Sequence, residues 1–347
     1  MALEAKLTDR FTGSAAVRQE HYSDFGDNTS GKLSARFEVT PQLAFRGSAE
    51  SGFRAPGLQQ QYFTSTSILF INGVPFDTGT FPSVSPTGKA LGGVPLQPEK
   101  SKNYALGAVF HAGGLEVTID GYEIDVTNRI VLSETLTGSN TAAVGTNARV
   151  IFDLLQPFGA SAARFFLNGV DTKTKGVDYV VHYRLHTDQF GLFDLTAAAN
   201  QNDFKVTKTP VTKQTILPVP VSLFARQAVL RFERGTPKWK TTLQSDWSLD
   251  NWGATLRSTF YGDVLAPGTL ADGSADIHTG QRSIWDLEGR YTFPHQVTVA
   301  VGADNLFDQY PRQIPKTLDT TGAGPFTSFS PFGFGGRFVY GRISVNW

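Results

Sequence analysis

Histidine has the widest chemical range of any side chain present, and its six copies do not form a centre. His21, His111, His182, His186, His278 and His295 are scattered along the chain. His182 and His186 would share a strand face, but four residues at strand rise place them roughly 13 Å apart, too far to hold one metal ion. The chain has no cysteine, so thiolate ligands, thiol nucleophiles and disulfides are excluded. No G-x-S-x-G elbow, phosphate-binding loop or H-E-x-x-H pair occurs, and Gly333-Phe334-Gly335-Gly336 precedes strand-like rather than helical sequence. The expectation is a chain without catalytic residues, metal or cofactor: no enzyme. Lysine plus arginine balance aspartate plus glutamate at 31 each, which gives no polybasic surface for nucleic acid.

The remaining chemistry-bearing residues lie at every second position. In Gln296–Pro311, Val297, Val299, Val301 and Ala303 alternate with Thr298, Ala300, Gly302 and Asp304. Successive side chains of a strand point to opposite faces, so one face is apolar and the other small and polar. Either the apolar face packs on a second sheet, or it faces lipid while the other lines a wet interior. Leu33, Ala35, Phe37 and Val39 alternate with Ser34, Arg36, Glu38 and Thr40 in the same way. The polar set of such strands carries Arg36, Glu38, Lys240, Asp246, Arg257, Asp286, Glu288 and Arg290. A slip near Gly121, from Val117 and Ile119 to Tyr122, Ile124 and Val126, predicts a bulge there.

Connections between these strands alternate in length. Short turns follow Thr8, Thr40, His111, Leu185, Leu249 and Phe293; irregular stretches over 54–100, 133–164, 206–237, 262–282 and 308–335 lie between them. In an up-and-down antiparallel barrel the turns then fall at one end and the long loops at the other, which a sandwich does not require. Leu223–Glu233 alternates poorly and is read as a short helix or local ribbon inside a loop. About thirteen strands remain, most near ten residues, the length that crosses a bilayer when tilted. Trp239, Trp247, Trp252, Trp285, Tyr291, Tyr310 and Tyr340 recur near strand ends, as interface girdles do. No run of about 18 apolar residues exists for a transmembrane helix. Met1–Leu7 enters strand-like sequence without a leader pattern, which predicts either a cytoplasmic chain or a natural start further upstream.

Four stretches resemble one family. Ser51-Gly52-Phe53-Arg54-Ala55-Pro56 is similar to its G-[FY]-R-A-P element, and Leu96-Gln97-Pro98-Glu99-Lys100-Ser101 with Asn103-Tyr104 to its L-x-P-E-x-S-x-N-[YF] pattern. Asp304-Asn305-Leu306-Phe307-Asp308-Gln309-Tyr310 resembles its N-L-F-D-x-x-Y element, and Val339–Trp347 its terminal strand with a final aromatic. The chain thus resembles the C-terminal barrel portion of a TonB-dependent outer-membrane receptor, over nearly its whole length.

The resemblance implies a transmembrane antiparallel barrel, here about thirteen of twenty-two strands, with residues 1–347 all barrel and the plug domain absent. It implies uptake of a scarce ligand, such as an iron–siderophore, cobalamin or an oligosaccharide, in the outer membrane of a Gram-negative bacterium. The implied partners are outer-membrane lipid, the plug and the TonB complex in a full-length receptor, and the barrel-assembly machinery reading the terminal strand. Ligand capture would fall to loop aromatics Tyr62, Phe63, Phe70, Phe326, Phe329 and Phe332; Arg54, Pro56, Pro98, Glu99, Asn305, Phe307, Asp308 and Trp347 would serve structure. The rivals are a passive outer-membrane porin and, further off, a soluble all-β carbohydrate-binding protein.

Overall fold

The structure is a computed structural model that describes residues 1–23, 25–71, 74–211, 215–294, 297–319 and 324–345. The chain opens with an antiparallel meander: β1 Ala2–Thr8, β2 Phe11–Tyr22, β3 Gly26–Thr40 and β4 Leu43–Arg54. A long excursion follows, holding α1 Leu58–Tyr62, the hairpin β5 Ser65–Ile71 and β6 Val74–Phe81, and α2 Pro86–Ala90. The meander resumes with β7 Glu99–Ala112 and β8 Leu115–Leu132. The next excursion holds β9 Leu136–Thr137 and α3 Asn147–Leu155, and leads into β10 Ala162–Thr187 and β11 Gly191–Lys208. Helix α4 Arg226–Arg234 precedes β12 Trp239–Leu249 and β13 Trp252–Tyr261. Short strands β14 Leu265–Ala266 and β15 Ile277–His278 pair within their loop, before β16 Arg282–Phe293, β17 Val297–Asp304 and β18 Phe338–Val345.

Thirteen of these strands make one wall in the order β1-β2-β3-β4-β7-β8-β10-β11-β12-β13-β16-β17-β18. Every neighbouring pair is antiparallel, and β1 is not paired with β18, so the sheet is open. The wall matches the expected partial up-and-down barrel, and Leu223–Glu233 is indeed mostly helix, α4. Three expectations are corrected. The stretch over 54–100 is not irregular: β6 runs parallel to the start of β10, pairing Thr78 with Ala162 and Phe81 with Phe165. The stretch over 133–164 is not irregular either: it holds α3 and the start of β10, which begins at Ala162 and runs 26 residues. Between β2, which ends at Tyr22, and β3, which begins at Gly26, lie only three residues.

The third correction falls at Gly121. No bulge occurs at Gly121: register against β7 and β10 is unbroken through Leu106↔Gly121 and Val177↔Gly121. Residues directly opposite share a face, so one row runs Leu33–Ala49–Tyr104–Glu123–Lys175–Asp203 and the next Ser51–Lys102–Asp125–Lys173–Lys205. The outer face of β8 therefore passes from Val117 and Ile119 to Glu123 and Asp125. Its inner face passes from Asp120 to Ile124 and the buried Val126. The apolar set changes sides because its surroundings change, not because the strand is kinked; at 26 residues β10 extends roughly 85 Å, far beyond a ~30 Å hydrocarbon layer.

Above this level the excursions build a core of their own. Leu91, Leu136, Ile151, Leu155, Phe165 and Phe224 belong to one buried cluster, with Val131, Leu167 and Val170 of the wall beneath them. Helix α3 starts at Thr146, whose hydroxyl accepts from Arg149 N–H, and seats Ile151 and Leu155 into it. Helix α4 has no side-chain cap, and is held instead by its neighbours. Arg226 donates to both carboxylate oxygens of Asp276, at 3.1 and 2.6 Å. Gln227 donates to Pro267 C=O, and Glu233 accepts from Val206 N–H.

Candidate functional site

The wall's inner face is a charged surface. Arg46 forks onto Asp120 (2.9 and 2.5 Å) across the intervening strand, and Gly107 makes this possible: a Cβ there would sit 2.0 Å from Asp120 Oδ1. Arg257 bonds Asp286 at 2.9 Å, Arg342 bonds Glu288 at 2.9 Å, and His182 pairs with Asp194. His182 is thus a hydrogen-bonding side chain on the inner face, and no group of three or more metal-ligating side chains occurs among the described residues.

The resemblance-bearing motifs meet in space. Arg54, at the end of β4, forks onto Glu99, at the start of β7. Glu99 is 6 % exposed and also accepts from Ile130 N–H of β8 at 2.8 Å, so one carboxylate ties three strand tops together. Pro56, two residues after Arg54, and Pro98, next to Glu99, are both buried. The Asp304–Pro311 element is a turn. Asn305 and Asp308 both take positive φ (53°), which their short side chains tolerate. Asn305 N–H donates to Asp286 at 2.8 Å, its side chain bonds Gln309 twice at 2.8 Å, and Asp308 accepts from Arg337 N–H at 2.8 Å. Phe307 lies edge-on to Trp285 at 6.3 Å. Trp347 and His295 lie outside the described residues.

The six loop aromatics fall into two groups. Tyr62, Phe63 and Phe70 are exposed (61, 46 and 64 %) around α1 and the β5–β6 hairpin. Phe326 stacks on Tyr310 at 5.5 Å, which takes that tyrosine out of any girdle and into the last loop. Phe329 lies under Arg231 of α4 at 6.0 Å, and Phe332 packs on Tyr261 of β13 at 5.6 Å. No ring contact among the described residues joins the first group to the second.

Around the second group runs an arc of cations and rings that strand periodicity did not reveal. Arg129 of β8 lies over Phe204 of β11 (5.5 Å) and Phe232 of α4 (5.8 Å). Phe232 also meets Phe224 edge-on at 5.4 Å, and Lys240 of β12 lies over Tyr261 at 5.4 Å. Arg129 is the unusual member: its Nε is buried without a hydrogen-bond partner. A cation held by ring faces, with donors to spare, suits a ligand both anionic and aromatic. The sequence reads 223–233 only as a short helix or local ribbon and does not single out Phe204; their meeting with Arg129 requires α4 to fold back over the wall.

Three comparisons bear on this arrangement. The family profile described as TonB dependent receptor-like, beta-barrel matches residues 2–306. The ferric enterobactin receptor PirA of Pseudomonas aeruginosa is 24 % identical over 341 residues, covering 95 % of this chain and 38 % of that protein. The chain therefore spans well under half the length of that relative. Among solved structures, a mutant of the ferric enterobactin receptor PfeA from Pseudomonas aeruginosa superposes with a TM-score of 0.65 at 17 % identity, covering 99 % of this chain and 43 % of that one. The siderophore receptor PirA from Acinetobacter baumannii gives 0.64 at 17 % identity, with 98 % and 44 % coverage. The FrpB iron transporter from Neisseria meningitidis gives 0.56 at 11 % identity, with 89 % and 40 % coverage. These likenesses show the fold, and the profile match over most of the chain shows the family: this chain belongs to the TonB-dependent receptors, as part of their β-barrel.

Proposed function

We propose that this chain forms part of the wall and external cap of an outer-membrane receptor that takes up a ferric siderophore. Transport would draw on TonB acting through a plug domain, and neither partner is supplied by these residues. The outward apolar stripe is the surface that such a location requires, and the inward ion pairs are those of a wet, plug-filled interior. The ligand class is carried by one observation: Arg129, half-buried between Phe204 and Phe232 with its Nε unpaired, lies in an arc of rings and cations. A siderophore whose iron ligands are aromatic and anionic matches both features. The names of the relatives, ferric enterobactin receptors among them, support the same class.

The test is titration of a ferric tris-catecholate into the detergent-solubilised protein, followed by quenching of intrinsic fluorescence. R129Q keeps a planar polar group but loses the charge, and should weaken binding about ten- to a hundredfold, the worth of one charge-assisted contact. Equal affinity of R129Q and the unaltered protein would refute the assignment. Binding of an uncharged hydroxamate complex as tightly as the catecholate would refute the ligand class.

A further inference from the structure

Arg129 owes its place to a local break in the strand that carries it. Along β8 the residues turned inward are Asp120, Tyr122, Ile124 and Val126, so an unbroken two-residue period would send residue 129 outward. Between Val126↔Thr172 and Arg129↔Val170, three steps on β8 oppose two on β10. The extra residue lies at Asn128, where φ is 56°. Its N–H donates to Asp171 at 2.9 Å and its C=O accepts from Asn168 at 2.7 Å. Such a bulge reverses the faces beyond it. Arg129 therefore turns inward onto Phe204, which stands in the inward row Ile124–Thr174–Phe204.

A buried acid lies beside this cation and does not neutralise it. Glu99 Oε1 accepts from the N–H of Ile130, the residue after Arg129, at 2.8 Å, which puts the carboxylate within reach of the Arg129 side chain. Arg54 nonetheless takes both oxygens: its Nε donates to Oε2 at 3.0 Å and its Nη2 to Oε1. The ion pair of Glu99 is with Arg54, and Arg129 has none among the described residues. Burial is the largest influence on the Arg129 guanidinium and lowers its pKa, while the Glu99 charge raises it and the Arg54 charge lowers it. Two cations thus lie around one buried acid. The planar fork gives the whole acid to one of them, and the other keeps its charge.

We propose that Arg54 is a positioning residue for ligand capture: by occupying both oxygens of Glu99 it keeps the Arg129 charge free, and so makes the site selective for an anionic ligand. The inference rests on the reading of Arg129 as a ligand contact. With an oxygen of Glu99 released, Arg129 folds back into an internal pair at the ligand's expense.

The test is the titration of a ferric tris-catecholate into the detergent-solubilised protein. R54Q releases Glu99 and should weaken binding about tenfold. R54K keeps the charge but loses the fork; Ile130 still holds Oε1, Oε2 passes to Arg129, and binding should weaken nearly as much. E99Q removes the competing charge and should bind about threefold tighter although the fold is less stable, a sign that a merely structural role does not give. R54Q/E99Q should return to within about twofold of the unaltered protein. R54K binding like the unaltered protein, E99Q binding more weakly, or R54Q/E99Q remaining as weak as R54Q overturns the role of Arg54; with R129Q still weakened, the siderophore reading stands. R129Q equal to the unaltered protein sinks both.

Discussion

The lower wall and the cap above it solve opposite problems with the same strands. Below Gly121, β8 sends Val117 and Ile119 outward and Asp120 inward; above it, Glu123 and Asp125 face out and Val126 is buried inside. A sheet whose outer surroundings are hydrocarbon must be apolar outside and satisfied inside. The same sheet, once both sides are wet, must hide its apolar residues like any soluble domain, and the cap supplies the lid. The cap is thus a core-bearing structure continuous with the wall, not a set of loose loops, and its stability should obey rules that the wall does not.

The largest expected effect separates the two. Phe165 is fully buried in the cap core, and F165A should cost the cap about 3–5 kcal/mol. Limited proteolysis should then cut within 133–161 and 206–237 while the wall strands stay protected; a wall lost along with the cap would break the comparison. On the wall, V301K should cost about 2–4 kcal/mol when folding is followed into bilayers, and next to nothing at the equally exposed cap residue Ile68 (I68K). Equal penalties at the two sites would remove the claim of two solvents.

Where wall and cap join, E99Q should cost about 2 kcal/mol. The fork from Arg54 loses its charge, although Arg54 stays more than half in water and keeps some solvation. Hydrogen exchange at Ile130, whose N–H donates to Glu99, is the readout. The smallest effect belongs to the loop clamp. Hydrogen bonding from Arg226 holds the Asp276 carboxyl below its usual range. A carboxylate with a depressed folded-state pKa contributes fully above the ordinary carboxylate range, and its contribution fades only as pH falls through the lowered value. Proteolysis within 262–276 should therefore stay slow at mildly acid pH and quicken only in stronger acid. D276N should cost about 1 kcal/mol and flatten that acid response.

The two-residue period by itself determined the wall: β3, β12, β13, β16 and β17 were legible because each has one apolar and one polar face, and the alternation of turn and loop lengths ordered them. The Arg54, Glu99 and Asn305 motifs were legible by their resemblance to one family's elements, not by any period. The period misread Gly121, because a change of surroundings and a bulge leave the same mark on a sequence. The excursions were illegible for a related reason. Their hairpin, helices and the Arg129–Phe204–Phe232 contact are built from residues 28 to 103 positions apart, with no period to announce them. That the alternating faces belong to one open sheet and that its apolar side switches midway were decided only by tertiary structure. Each depends on which residues of neighbouring strands stand side by side, and register is a property of the assembled sheet.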